Sequence, residues 1–268
     1  MAANSCFKVE IEDHTAWLIL NRPEKRNVMG LTFFDEIGAF FDDFEKNPDI
    51  RAIIIRAEGK SFSAGTDLDE AGALINQSSA DGRDNMCKGI LALQAGLNKI
   101  ESCRKPVIAA VHSHCIGGGM DLICACDMRL ATADAVFSIR ETRIGIVADL
   151  GTLQRLPHIV GQGWSRELAL TGRDFSAEEA LQMGLVTRVC DDRPGLYEAA
   201  KELADQIAAC PPLTVQGTKE VMNFSRDNDI DAGLQYVAQK NSAALPSEDL
   251  IEAVTAFMEK RAPVFKGK

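Results

Sequence analysis

The sequence predicts a mixed α/β fold, a mostly parallel sheet of strand–helix–strand units followed by a helical tail. Three observations carry this prediction. Short apolar runs rich in Ile, Val and Ala alternate with longer segments of helical period up to about residue 200. Those apolar runs are continuous, as in strands buried on both faces. Past that point only helical patterns remain, broken by Pro or Asn-Asp.

Each element follows in order. "TAWLILN" (15–21) reads as a strand that turns at Pro23, and "LTFFDEIGAFFDDFEKN" (31–47) as a helix with Phe33, Ile37, Phe40, Phe41 and Phe44 at helical spacing. "RAIIIRAEG" (51–59) is a buried strand, and "KSFSAGTDL" (60–68) a loop turning at Gly65. Residues 69–83, rich in Ala, Gly, Ser and Asp, read as a mobile loop or frayed helix. A helix over 85–102 places Met86, Ile90, Leu93, Leu97 and Ile100 on one face, and "KPVIAAVHS" (105–113) is the next buried strand. "IGGGMDLICACD" (116–127) runs from a Gly-rich turn into a short helix, and "MRLATADAVFSI" (128–139) holds two short strands around Ala133-Asp134. These alternations imply right-handed β-α-β units. Four helices close the chain, within 195–210, 212–224, 230–245 and 247–261, so residues 1–200 are assigned to the core and 201–268 to a helical region.

The 268 residues allow one large domain, with 46% apolar and 25% charged residues. A formal net charge of −10 argues against a nucleic-acid partner held by broad basic surface. The start "MAANSCFKVE" lacks the pattern of a signal peptide, no stretch has the length of a membrane span, and "VFKGK" is not a targeting address, so a cytoplasmic location and no membrane partner are expected. Eight scattered cysteines fit a reducing compartment. Cys124 and Cys126 form a C-x-C pair with no second pair at zinc spacing, so no metal site is expected.

Two loops share an unusual form. "SFSAGTD" and "CIGGGMD" each follow a buried strand and turn at glycine, which allows positive φ and close backbone approach to a ligand. Free N–H groups at such turns can hold an anion, and two converging groups could hold a developing enolate. Tight turning alone also accounts for the glycines, and nothing in the sequence shows that the loops converge. Further on, "SIRETRIGIVADLGTLQRLP" (138–157) sets Glu141 and Asp149 eight positions apart among apolar residues. Solvation or helix capping would explain each alone, Asp149 as a cap for a helix starting near Gly151 and Asp121 as a complement to the dipole of its own first turn. A proton-transfer site would explain them together.

"NRPEKRN", "FSAGTDL", "KPVIAAVHSHCIGGGMDL", "CDMRLAT", "FSIRETRIGIVADLGTLQRLPHIVG" and "FMEKRAPVF", in this order from about residue 10 to about 265, resemble the crotonase (enoyl-CoA hydratase/isomerase) superfamily. The resemblance implies a crotonase-like spiral of β-β-α units with a C-terminal helical trimerisation region, and a homotrimer or a homohexamer of two trimers. It implies an acyl-CoA substrate with no separate cofactor, coenzyme A being part of the substrate. The thioester oxygen would be held by the backbone amides of Thr66 and Gly118.

Within that family, hydratases use two glutamates, one following the glycine triplet and one twenty residues on. Here those positions hold Asp121 and Glu141. Aspartate is a methylene shorter, which sets its carboxylate back by about 1.5 Å, a displacement that matters in proton transfer. Asp149 is an addition to the hydratase pattern. The set Asp121, Glu141 and Asp149 resembles Δ3,5-Δ2,4-dienoyl-CoA isomerases, in which a proton leaves C2 and another arrives at C6, so two separate proton-handling groups suit the reaction. The expected roles are Asp149 at C2, Glu141 at C6 and Asp121 tuning between them, although the first two could exchange. Apolar neighbours Ile144, Ile146, Val147 and Leu150 are expected to raise at least one of their pKa values.

For coenzyme A, the resemblance implies Lys25 and Arg26 at the phosphates, Ala64, Asp67 and Leu68 along the adenine and pantetheine path, and Phe257 and Lys260 on a closing C-terminal helix. His112 and His114 pair with no nucleophile at recognisable spacing and read as structural. Enoyl-CoA hydratase is the nearest alternative. A non-catalytic acyl-CoA binder is disfavoured by the three carboxylates, and an RNA binder by the net charge.

Overall fold

The computed structural model describes residues 5–70 and 79–268. Its elements are β1 (Phe7–Glu12), β2 (Thr15–Leu20), α1 (Leu31–Lys46), β3 (Ala52–Ala57), α2 (Ala80–Ser102), β4 (Val107–Val111), β5 (His114–Ile116), α3 (Gly118–Cys124), β6 (Met128–Thr132), β7 (Val136–Ser138), α4 (Thr152–Thr171), β8 (Asp174–Ser176), α5 (Ala177–Gln182), β9 (Arg188–Cys190), α6 (Arg193–Ala208), α7 (Pro212–Asp227), α8 (Ile230–Ala244) and α9 (Glu248–Glu259).

Apolar runs become the central strands for a simple reason: they are covered on both faces. Ala52 to Ile55 and Val107 to Val111 are fully buried. The helices α1 and α2 pack on one face of the six-stranded sheet β1-β2-β3-β4-β6-β9 and α6 on the other. All its pairings are parallel except β1 with β2. A smaller sheet, β5-β7-β8, stands beside it.

The chain winds between the two sheets. β4 lies in the large sheet and β5 in the small one before α3; β6 lies in the large sheet and β7 in the small one before α4. Thus the two strands expected within 128–139 are both present, but they do not form a hairpin. β6 pairs with β4, and β7 with β5. This is the β-β-α spiral that the family resemblance implies, in place of the single run of β-α-β units read from the apolar pattern.

Four strands go beyond the sequence prediction. β1 alternates Phe7, Val9 and Ile11 with Lys8, Glu10 and Glu12, a period-2 signal for an edge strand. β5, β8 and β9 have three residues each, too few for any period to show. Of the loop expected over 69–83, residues 71–78 lie outside the described residues, and 80–83 form the first turn of α2.

α6 runs across residue 200 and packs on β2, β3, β4, β6 and β9. α7 is tethered to the core by the buried Lys219, whose Nζ meets Asp127 at 2.7 Å and the Lys105 carbonyl at 3.1 Å. α7 and α8 pack together, with Phe224 stacked on Tyr236.

β7 is held by Phe137, fully buried and stacked on Phe175 of β8 with ring centroids 5.4 Å apart. Phe137→Ala should cost about 3–5 kcal/mol, read in urea as a lower midpoint with an unchanged slope.

Candidate active site

The two glycine loops do converge. The loop after β3 is stitched to β5, with the Ser63 N–H donating to the His114 carbonyl at 3.0 Å and the Ile116 N–H to the Ser63 carbonyl at 3.1 Å. Gly65 and Gly117 sit at φ +98° and +53°, so each turn requires the left-handed region that glycine supplies. Contact distances show how closely the turns approach. A methyl group added at Gly118 would lie 3.3 Å from the Thr66 nitrogen, and one added at Gly65 3.5 Å from the Gly118 nitrogen. Among the described residues neither amide donates a hydrogen bond to the protein. Two free donors therefore border one small gap, an arrangement able to hold an oxyanion.

The three carboxylates come from separate elements. Asp121 is on α3, Glu141 is in the 3-10 turn Arg140–Ile144, and Asp149 precedes α4. Asp121 is 1% exposed, and its Oδ1 accepts the Thr152 N–H at 2.7 Å. It is therefore Asp121, not Asp149, that caps α4, whose N-cap Gly151 offers no side chain. Glu141 turns its carboxylate toward the Gly117 turn, with Oε1 3.1 Å from where a Gly117 methyl would sit, and its buried Oε2 has no hydrogen-bond partner among the described residues.

Burial, first, raises all three pKa values. Asp121 is pushed up to about 6, with the Thr152 amide bond and the nearness of the Thr152 hydroxyl opposing and the Asp149 charge adding. Glu141 is pushed up to about 7, with Asp121 and Asp149 adding to the burial effect. Asp149 is raised by burial, opposed by its own backbone N–H. The source of that burial differs from expectation. Ile144 and Val147 are exposed, and of the four apolar neighbours named only Leu150 is fully enclosed. Glu141 is half-buried, with its carboxylate against the Gly117 turn.

The residues expected at coenzyme A divide into two groups. Lys25, Arg26, Ala64, Asp67 and Leu68 share one surface. The Ala64 N–H donates to the Arg26 carbonyl at 3.0 Å, and the Lys25 ammonium lies 3.9 Å from the Asp67 carboxylate. Buried Asn27 pins this surface by donating to the Glu58 and Ser61 carbonyls. Phe257 and Lys260 lie on and just after α9, both exposed, and no hydrogen bond or ion pair joins them to that surface among the described residues.

His112 is buried against the Gly59 carbonyl, and burial pushes its pKa down to about 4; His114 is exposed and meets Ser113. Cys124 and Cys126 are free, fully buried thiols with pKa values pushed up to about 12 by burial. A cavity of about 790 Å³ lies between α7 and the core; it reaches Cys124 and Cys126 but none of the three carboxylates.

Two site residues are absent from the sequence prediction. Thr152 binds Asp121 across 31 positions, and Gln94 donates its Nε2 to the Asp149 carbonyl at 2.6 Å across 55 positions. Neither spacing has a local signature. The only hint was the helix start at Gly151-Thr152.

The enoyl-CoA hydratase/isomerase family model matches residues 10–268. A mitochondrial Δ3,5-Δ2,4-dienoyl-CoA isomerase of Dictyostelium discoideum is 46% identical over 266 residues, covering 97% of this chain and 91% of that protein. A peroxisomal Δ3,5-Δ2,4-dienoyl-CoA isomerase of Arabidopsis thaliana is 47% identical over 253 residues, covering 92% and 91%. Among solved structures, an enoyl-CoA hydratase from Bacillus anthracis superposes with a TM-score of 0.90 at 31% identity, covering 98% of this chain and all of that one. The relatives' mitochondrial and peroxisomal names overturn the expectation of a cytoplasmic protein. That expectation rested on sorting signals, which are short terminal addresses unrelated to the fold. Taken with the two-sheet spiral and the paired glycine turns, these matches make the chain an enzyme of the enoyl-CoA hydratase/isomerase family.

Proposed function

We propose that the chain converts 3,5-dienoyl-CoA to 2,4-dienoyl-CoA. The observation that carries this reading is the presence of three mutually interacting carboxylates, Asp121, Glu141 and Asp149, beside two free amides. Asp149 takes the C2 proton. Electron density shifts toward the thioester oxygen, where the Thr66 and Gly118 amides stabilise the dienolate. Glu141 then delivers a proton to C6. Its pKa of about 7 supports the acid role, because it still holds a proton near neutrality. The double bonds move from C3 and C5 to C2 and C4 with one proton lost and one gained, and the two carboxyl groups regain their starting states by proton exchange.

Coenzyme A enters as part of the substrate, with no separate cofactor. Lys25 and Arg26 meet its phosphates, Ala64, Asp67 and Leu68 line its path, and Phe257 and Lys260 close over it from the C-terminal helical region. The active assembly is a trimer or a hexamer of two trimers. Exposed Ile230 and Leu234 on α8, with Ile251, Val254, Phe257 and Met258 on α9, support an interface there.

The test is to follow the ultraviolet absorbance of conjugated 2,4-dienoyl thioester from 3,5-octadienoyl-CoA, with loss of 2-enoyl-CoA measured in parallel. A rising dienoyl signal is expected. A silent dienoyl channel with rapid loss of the 2-enoyl thioester would overturn the reading in favour of a hydratase. The kcat/KM for the dienoyl substrate should fall above pH about 7 as Glu141 loses its proton. A flat profile between pH 6 and 9 would remove Glu141 as the acid.

A further inference from the structure

Four buried side-chain polar atoms lack a hydrogen-bond partner among the described residues, and two of them belong to this site: Glu141 Oε2 and Thr152 Oγ1. A buried unpaired polar atom costs stability, so its presence in a folded protein asks for a reason. Glu141 faces the reacting centre. Thr152 does not. It is 1% exposed at the first turn of α4, and its amide already holds Asp121 Oδ1 at 2.7 Å. We propose that Thr152 is a positioning residue for the isomerisation, whose amide and otherwise unpartnered hydroxyl together hold Asp121 as an ionised carboxylate between Glu141 and Asp149. This inference rests on the isomerase reading above.

The physical argument concerns where charge can exist. Asp121 is almost fully buried, and a lone carboxylate there would take up a proton rather than stay ionised. Donors at the start of α4 oppose that tendency, because helix-end N–H groups and the helix dipole favour an anion. The rest of Asp121's surroundings offers little to assist. Cys124 stays a neutral thiol, Glu141 and Asp149 are themselves acidic, and Arg155 is held by Glu101 and Asn98. A threonine hydroxyl can also turn, donating to Asp121 while it is charged and accepting from it when it is not. Asp121 ionised beside Glu141 keeps a proton on Glu141 through like-charge repulsion. Thr152 touches no reacting atom; it acts through Asp121.

The test compares Thr152→Val, which keeps size and amide but removes the hydroxyl, with Thr152→Ser, which keeps the hydroxyl. In Thr152→Val the alkaline limb of the kcat/KM profile should move down by about one pH unit, the scale of one lost charged hydrogen bond. Thr152→Ser should keep the wild-type profile. In an Asp121→Asn background the valine substitution should cause no further shift. Carbon-13 NMR titration of the aspartate and glutamate carboxyls in the ligand-free protein supplies a second readout that needs no turnover. A silent dienoyl assay with the titration shift present would sink the isomerase reading, and with it the link to isomerisation, while leaving the hold of Thr152 on Asp121 standing. Activity lowered equally at every pH with unmoved titrations, or serine behaving as valine does, would overturn it.

Discussion

Glu141→Gln should lower kcat for the dienoyl substrate by about 10²- to 10⁴-fold, the contribution of one positioned proton donor, with KM little changed. The amide fills the same space against the Gly117 turn but has no proton of suitable acidity for C6, so kcat and kcat/KM should fall together. The measurement is steady-state dienoyl absorbance at pH 6, where wild-type Glu141 keeps its proton. The same substitution should stabilise the fold at pH 8. Burial raises the Glu141 pKa from 4.5 to about 7, so its contribution to stability is full below pH 4.5 and lost as pH rises through about 7. Glutamine carries no such loss. The melting temperature of Glu141→Gln relative to wild type should therefore be higher at pH 8 than at pH 4. A variant that retains activity would show that another group protonates C6.

Gly118→Ala should lower kcat by about 10²- to 10³-fold, as for loss of an oxyanion donor, without unfolding the chain. Its methyl would sit 3.0 Å from Thr66 Oγ1 and 3.3 Å from the Thr66 nitrogen, in the gap where a thioester oxygen would reach both amides. Gly118 does not need a left-handed backbone, so alanine is tolerated there, whereas Gly117 at φ +53° would be strained by any side chain. Circular dichroism should match wild type while the dienoyl signal falls. Near-normal turnover would mean that the oxygen lies elsewhere.

Much of the fold was legible because burial writes itself into composition. Continuous apolar runs mark β3 and β4, and helical spacing marks α1, whose Phe33, Ile37, Phe41 and Phe44 are buried. β5, β8 and β9 were not legible, since three residues cannot display a period and they exist through pairing with distant strands. The same division runs through the site. The turn at Gly65 and the acids Glu141 and Asp149 stood out because special backbone turns and carboxylates among apolar residues are local features of the chain, whereas Thr66, Gly118 and Asp121 entered as candidates through the family resemblance. Thr152 and Gln94 were not found, because each acts on a partner 31 or 55 positions away.

By itself, then, the sequence determined the residue types and the turns: which strands are covered on both faces, where glycine lets the backbone reverse, and which acids stand in apolar company. Only the tertiary structure decided what those residues do to one another. It joined the two glycine turns through Ser63 and Cys115, and it gave the cap of α4 to Asp121 rather than Asp149. It also covered the Glu141 carboxylate with a turn rather than with the apolar residues beside it in the chain. The reason is that charge, desolvation and hydrogen bonding depend on distance in space, and distance in space between remote residues is set by packing.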